Sequence, residues 1–97
     1  MKNTTIITGP QGSGKTTISK AIEMSYPEQR VRNIAFSDLP QSFDNCELVV
    51  ISEIPCDMIR TTCEMLNFYH PGSRVIFETQ ETVPSDFGDF AHVIKTR

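Results

Sequence analysis

The run Gly9-Pro10-Gln11-Gly12-Ser13-Gly14-Lys15-Thr16 constrains this chain more than any other feature. Thr4 to Thr8 comes just before it and is β-branched throughout, which reads as a buried strand. From Lys15 the pattern becomes helical, with Ile18, Ala21, Ile22 and Ser25 on one face and Pro27 as the stop. A glycine-rich turn joining a buried strand to a helix is the opening unit of an α/β sheet.

The rest of the chain continues the alternation. Val31 to Phe36 reads as a weaker edge strand, and Ser37 to Cys46, with Asp38, Pro40, Asp44 and Asn45, as a loop with at most one helical turn. Glu47 to Ile51 is the strongest strand signal, and its continuous apolar run implies a sheet covered on both faces. Pro55 opens a helix with Cys56, Ile59, Cys63 and Leu66 on one face, and Pro71-Gly72 stops it. Arg74 to Phe77 is a further strand, Pro84 to Gly88 a turn, and Ala91 to Lys95 a short last strand. The connection between the second and third strands is short for a helix, so the second strand is either reached by a loop crossover or is an antiparallel or poorly formed edge. With 97 residues, 1–97 is expected to be a single domain.

The spacing Gly-x-x-x-x-Gly-Lys-Thr is that of a phosphate-binding loop. Gly9, Gly12 and Gly14 allow backbone angles closed to other residues and a close approach to a ligand. Successive N–H groups of the loop, which also contains Pro10, Gln11 and Ser13, turn inward and form an anion nest, and the helix dipole adds to it. Lys15 supplies a charge for the β- and γ-phosphates, Thr16 a hydroxyl for Mg2+, and Thr17 a bond to the α-phosphate. ATP is expected over GTP because the chain contains no Asn-Lys-x-Asp guanine-reading motif.

An acidic site is expected at the end of Leu48-Val49-Val50-Ile51-Ser52-Glu53, since strand carboxyl ends face the ligand in such sheets. Ser52 stands where an aspartate would usually hold the metal; it could hold a magnesium-bound water but brings no charge. Glu53 could take the metal side, act as general base, or do both, and the plain alternative is a solvent-facing strand end. Arg74 to Gln80 would deliver Glu78, Thr79 and Gln80 to the same edge, with Gln80 favoured, and Thr79 second, as the residue that orients water or senses the γ-phosphate.

With these elements in this order the chain resembles the P-loop ATPases that have an additional strand and a catalytic glutamate, the group of the AAA-type ATPases and viral-type replication helicases. The resemblance implies a three-layer α/β sandwich with a mostly parallel five-stranded sheet in the order 5-1-4-3-2, the Arg74 strand lying between the Thr4 and Glu47 strands. It implies Glu53 as base and Gln80 or Thr79 as sensor. It also implies an arginine from a neighbouring subunit; Arg60, Arg74 and Arg97 are candidates, and nothing in the sequence selects one. The family's helical lid is not expected, because the chain stops at Arg97 directly after the last expected strand. A small core of this kind is expected to work as a homo-oligomer or with a protein partner.

The remaining features bound the function. A formal net charge of −3, with the basic residues scattered, gives no support for a nucleic-acid groove, although nucleic acid is not excluded as a partner. Three cysteines without a Cys-x-x-Cys pair fit reduced thiols, and Cys56 and Cys63 read as core-facing residues. No stretch approaches a membrane span, and a cytoplasmic protein is expected. His70 is placed as a helix C-cap, His92 in or beside the last strand, and Phe87 and Phe90 as packing residues in preference to base stackers. The functions that fit are Mg2+-dependent ATP binding with slow hydrolysis, a small-molecule or nucleotide kinase with Asp38 near the acceptor, and a non-hydrolysing nucleotide-dependent switch.

Overall fold

The computed structural model describes residues 3–39 and 46–96. Five strands form one sheet: β1 (Thr4–Thr8), β2 (Val31–Ala35), β3 (Leu48–Ser52), β4 (Arg74–Thr79) and β5 (His92–Lys95). Among the described residues two α-helices accompany it, α1 (Lys15–Glu23) and α2 (Cys56–Tyr69). The neighbours run β2-β3-β4-β1-β5; counted from the β5 edge, the same neighbours read 5-1-4-3-2. β4 thus lies between β1 and β3, with Ile6 opposite Phe77 and Val50 opposite Ile76.

Every pairing is parallel. β2 is therefore neither antiparallel nor poorly formed: Val31 through Ala35 pair with Leu48 through Ser52 along their whole length. A 3-10 turn, Phe36–Asp38, follows β2. Pro40, Asp44 and Asn45 of the expected loop, and the arginine-finger candidate Arg97, lie outside the described residues.

Strand side chains alternate between faces, and each face has its own helix. Ile7, Leu48, Val50 and Ile76 meet Ile18, Ile22 and Tyr26 of the α1 side. Ile6, Val49, Ile51, Val75 and Phe77 meet Ile59, Cys63 and Leu66 of α2, with Val83, Phe87 and Ala91 closing that layer. Burying each of the fully enclosed Val, Leu, Ile and Phe side chains among these stabilises the fold by about 1.5–3 kcal/mol. Two apolar faces explain why β3 and β4 read as unbroken hydrophobic runs.

The α1 face differs from the expected one. Ala21 and Ser25 are exposed, while Ser19 is buried and Tyr26 packs against the sheet. The helix ends at Glu23, before Pro27, so Ile18, Ile22 and Tyr26 at spacing four form the contact row. On α2, Cys56 at the first turn is only half-buried, and Thr62 joins Ile59, Cys63 and Leu66 inside.

β1 is an interior strand and wholly buried, so its threonine hydroxyls need partners. Thr4 Oγ1 bonds Cys63 Sγ at 3.4 Å, and Thr8 Oγ1 donates to the Glu81 carbonyl at 2.5 Å. The three thiols are free, and among the described residues no group of three or more His, Cys, Asp or Glu could hold a metal ion. Among the described residues no helix is long and apolar enough to cross a membrane.

Candidate functional site at the carboxyl edge of the sheet

The loop after β1 is shaped by its glycines in two different ways. Gly12 and Gly14 have φ of 81° and 98°, the left-handed region that side chains disfavour. Gly9 is required by space instead. A Cβ there would lie 2.5 Å from the Thr96 carbonyl oxygen and 2.8 Å from Ser13 Oγ, both closer than real Cβ contacts. The expectation that all three glycines serve backbone angles is corrected for Gly9.

Gly14 is the N-cap of α1 and offers no side chain to the first-turn amides, nor is any acidic residue present in that turn. The positive end of the helix is left for a ligand to meet. Lys15 folds back over the loop, its ammonium donating to the Gly9 carbonyl at 2.7 Å and the Pro10 carbonyl at 2.8 Å. An ammonium has three N–H donors, so this anchorage leaves one for an anion.

A pocket of about 570 Å³ lies against this loop, lined by Gln11, Gly12, Gly14, Lys15, Thr16, Thr17, Ser52, Glu53, Glu78 and Gln80. Gly9, Pro10 and Ser13 of the expected loop set do not line it. The parity of the strands explains the far wall. Leu48 and Val50 put Ser52 on the α1 face, and Ile76 puts Glu78 on the same face, so both rows end at the loop.

Glu53 follows Ser52 with φ of 58°. A non-glycine residue in the left-handed region costs free energy that the surroundings must supply. Here Ile54 N–H bonds the Glu78 carbonyl at 3.3 Å, tying the turn to the end of β4. The carboxylate of Glu53 is exposed and lines the pocket.

The two sensor candidates separate. Gln80 lines the pocket, and its amide reaches Gln11 Oε1 at 3.5 Å across the mouth. Thr79 lies on the opposite face, fully buried, and its hydroxyl accepts the Glu81 N–H at 3.2 Å. Thr79 is therefore a packing residue, because one step along a strand reverses the face.

Glu78 is the residue that sequence reasoning passed over in favour of its neighbours. It is only 8% exposed yet lines the pocket opposite Lys15's loop. Its signal was available: a carboxylate two residues beyond Ile76 in an otherwise apolar strand.

Other candidates lie elsewhere. Asp38 is exposed after β2 and does not line the pocket. Arg60 pairs with Asp86 at 3.2 Å and lies over the Phe87 and Phe90 rings, 5.3 and 4.8 Å from their centroids. Those rings pack on each other at 5.2 Å, consistent with packing residues. Arg74 starts β4, at the edge of the sheet opposite the pocket. His70 sits at the C-cap of α2, its N–H on the Leu66 carbonyl at 2.7 Å.

A second groove, lined by Pro55, Cys56, Asp57, Met58, Glu81, Thr82, Pro84 and Phe87, lies over the start of α2. Glu81 Oε1 accepts the Cys56 N–H at 2.9 Å and so caps that helix from 25 residues away. Burial raises the Cys56 thiol pKa, and the carboxylates of Glu81 and Asp57 add to the shift.

No protein-family model matches this chain, and no curated protein matches it.

Proposed function

We propose that the chain binds ATP with Mg2+ and hydrolyses it slowly, as a P-loop ATPase core of the additional-strand, catalytic-glutamate kind that works as an oligomer or with a protein partner. One observation carries this reading. The loop and helix residues Gln11, Gly12 and Gly14 to Thr17 and the polar residues Ser52, Glu53, Glu78 and Gln80, far apart in sequence, line one pocket. Its volume is within the ~300–1,000 Å³ range of small-molecule sites.

The chemistry of the lining fits a nucleotide's phosphates. The first-turn amides of α1 and the Lys15 ammonium bind them. Thr16 would hold the metal from the loop side, with Ser52 and Glu78 as the polar groups that would face it from the strand side. Magnesium keeps several waters and needs few protein ligands, so a triad of acidic residues is not required. When bound, the ion offsets phosphate charge. Glu53 accepts a proton from the water that attacks the γ-phosphorus as the bond to the ADP oxygen breaks. Gln80, held at the pocket mouth, orients that water.

A titration with Mg2+ and ATP tests the binding step. Micromolar to millimolar saturation is expected, with Lys15→Ala losing about 100-fold or more in affinity. No saturation by the wild-type chain sinks the proposal. Phosphate release then separates a second reading, a nucleotide switch without turnover, which the uncharged Ser52 at the metal side favours. Binding with no release above a Glu53→Gln control selects the switch.

A further inference from the structure

The tip of the phosphate loop is bonded to the far end of the chain. Thr96, just past β5, sends its N–H to the Thr8 carbonyl at 2.8 Å, and its hydroxyl donates to the same oxygen at 3.2 Å. With the Thr96 proton used there, Ser13 is left as donor in the short hydrogen bond between Ser13 Oγ and Thr96 Oγ1. Gly9, between Thr8 and the loop, lies so close to Thr96 that a methyl group would not fit. Thr8, Gly9, Ser13 and Thr96 thus form one interlock, 83 residues separating the two hydroxyl partners.

We infer that Thr96 is a positioning residue for the phosphate loop, setting nucleotide affinity through Ser13 without touching the nucleotide; this rests on the nucleotide-binding reading above. Ser13 does not line the pocket, whereas its neighbours Gly12 and Gly14 do, so its hydroxyl serves the loop's shape. Gly12 and Gly14 are also the loop's two left-handed residues, and glycine holds such angles with little intrinsic preference. A loop of that kind samples other conformations unless fixed from outside. The Ser13–Thr96 bond falls between the two permissive residues, where one constraint limits both. A loop already in its binding shape avoids an ordering cost when phosphate arrives.

The test compares Thr96→Val, Thr96→Ser, Ser13→Ala and the double variant Ser13→Ala/Thr96→Val. Valine keeps the shape and the backbone N–H bond but removes both hydroxyl bonds; serine keeps the hydroxyl. Mg-ATP affinity is measured well below each melting temperature. Thr96→Val and Ser13→Ala should each weaken binding by about tenfold, Thr96→Ser by less than about twofold. The double variant should be no weaker than the worse single one, because both changes break the same bond.

Wild-type affinity in Thr96→Val and Ser13→Ala, or losses that multiply in the double variant, would overturn the inference while leaving nucleotide binding intact. Failure of the wild-type chain to bind removes the nucleotide reading and this one with it. Should Thr96→Val not fold, Ser13→Ala reads the same bond from the loop side, and unchanged affinity there is decisive against it.

Discussion

Replacing Glu53 separates the cost of its backbone from the use of its side chain. Its φ of 58° lies in the left-handed region. An L-residue pays about 1–2 kcal/mol for that conformation, and glycine does not. Glycine's freer unfolded chain offsets about 0.5–1 kcal/mol of the gain. Glu53→Gly is therefore expected to be more stable than Glu53→Ala by about 0.5–1 kcal/mol. The alanine variant is the right reference, because it loses the same carboxylate but keeps the strained backbone. For a domain of this size the gain corresponds to a melting temperature higher by about 2–8 °C. Urea unfolding followed by two probes gives the free energies, with coincident curves justifying the two-state treatment. In the same variants, and in Glu53→Gln, phosphate release should fall by about 100-fold or more while nucleotide affinity stays within a few-fold. A glycine variant less stable than the alanine variant refutes the account of the backbone. Undiminished release in Glu53→Gln refutes the account of the carboxylate.

The groove over α2 gives two further predictions. Glu81→Ala removes the cap from the Cys56 N–H and should lower stability by about 1 kcal/mol, with Glu81→Gln keeping most of it because an amide oxygen still accepts; equal melting temperatures for all three chains would contradict this. Because burial and the carboxylates of Glu81 and Asp57 raise the Cys56 pKa, alkylation of that thiol should need a higher pH than an ordinary cysteine, and Glu81→Gln should shift the rate profile downward. A raised thiol pKa favours the protonated form in the folded state. Its contribution to stability is thus fully present below the ordinary thiol pKa and is lost as pH rises through the raised one, which unfolding measured across that alkaline window would reveal.

What the sequence disclosed was local. The glycine-rich loop proposed to bind phosphate is eight consecutive residues, and its glycine spacing, its lysine and its hydroxyl are all readable in place. Glu53 was legible as the residue after an apolar strand. The far wall needed strand parity: Gln80 and Glu78 share a face with Ile76, whereas Thr79 shares one with Phe77, so two candidates that are adjacent in sequence end up on opposite faces of the sheet. The contacts that hold the site together were not legible because they are distant in the chain. Thr96 meets Ser13 only once β5 is placed beside β1, and Glu81 caps Cys56 only once β4 is placed beside β3. The parallel pairing of β2 was equally hidden, since a short crossover is compatible with either direction until its register with β3 is fixed.

The placement of β5 beside β1 also has a mechanical meaning. The strands are parallel neighbours, so Thr4 and Thr96 lie at opposite edges of the sheet, about one strand length or ~17 Å apart. Tension drawn between these two points slides β5 along β1 and loads their hydrogen bonds together, the shear geometry that resists force, in contrast to unzipping them one at a time. The point where that load enters is Thr96, the residue bonded to Ser13. A pull on the chain beyond β5 would therefore reach the glycine-rich loop before it reached the core.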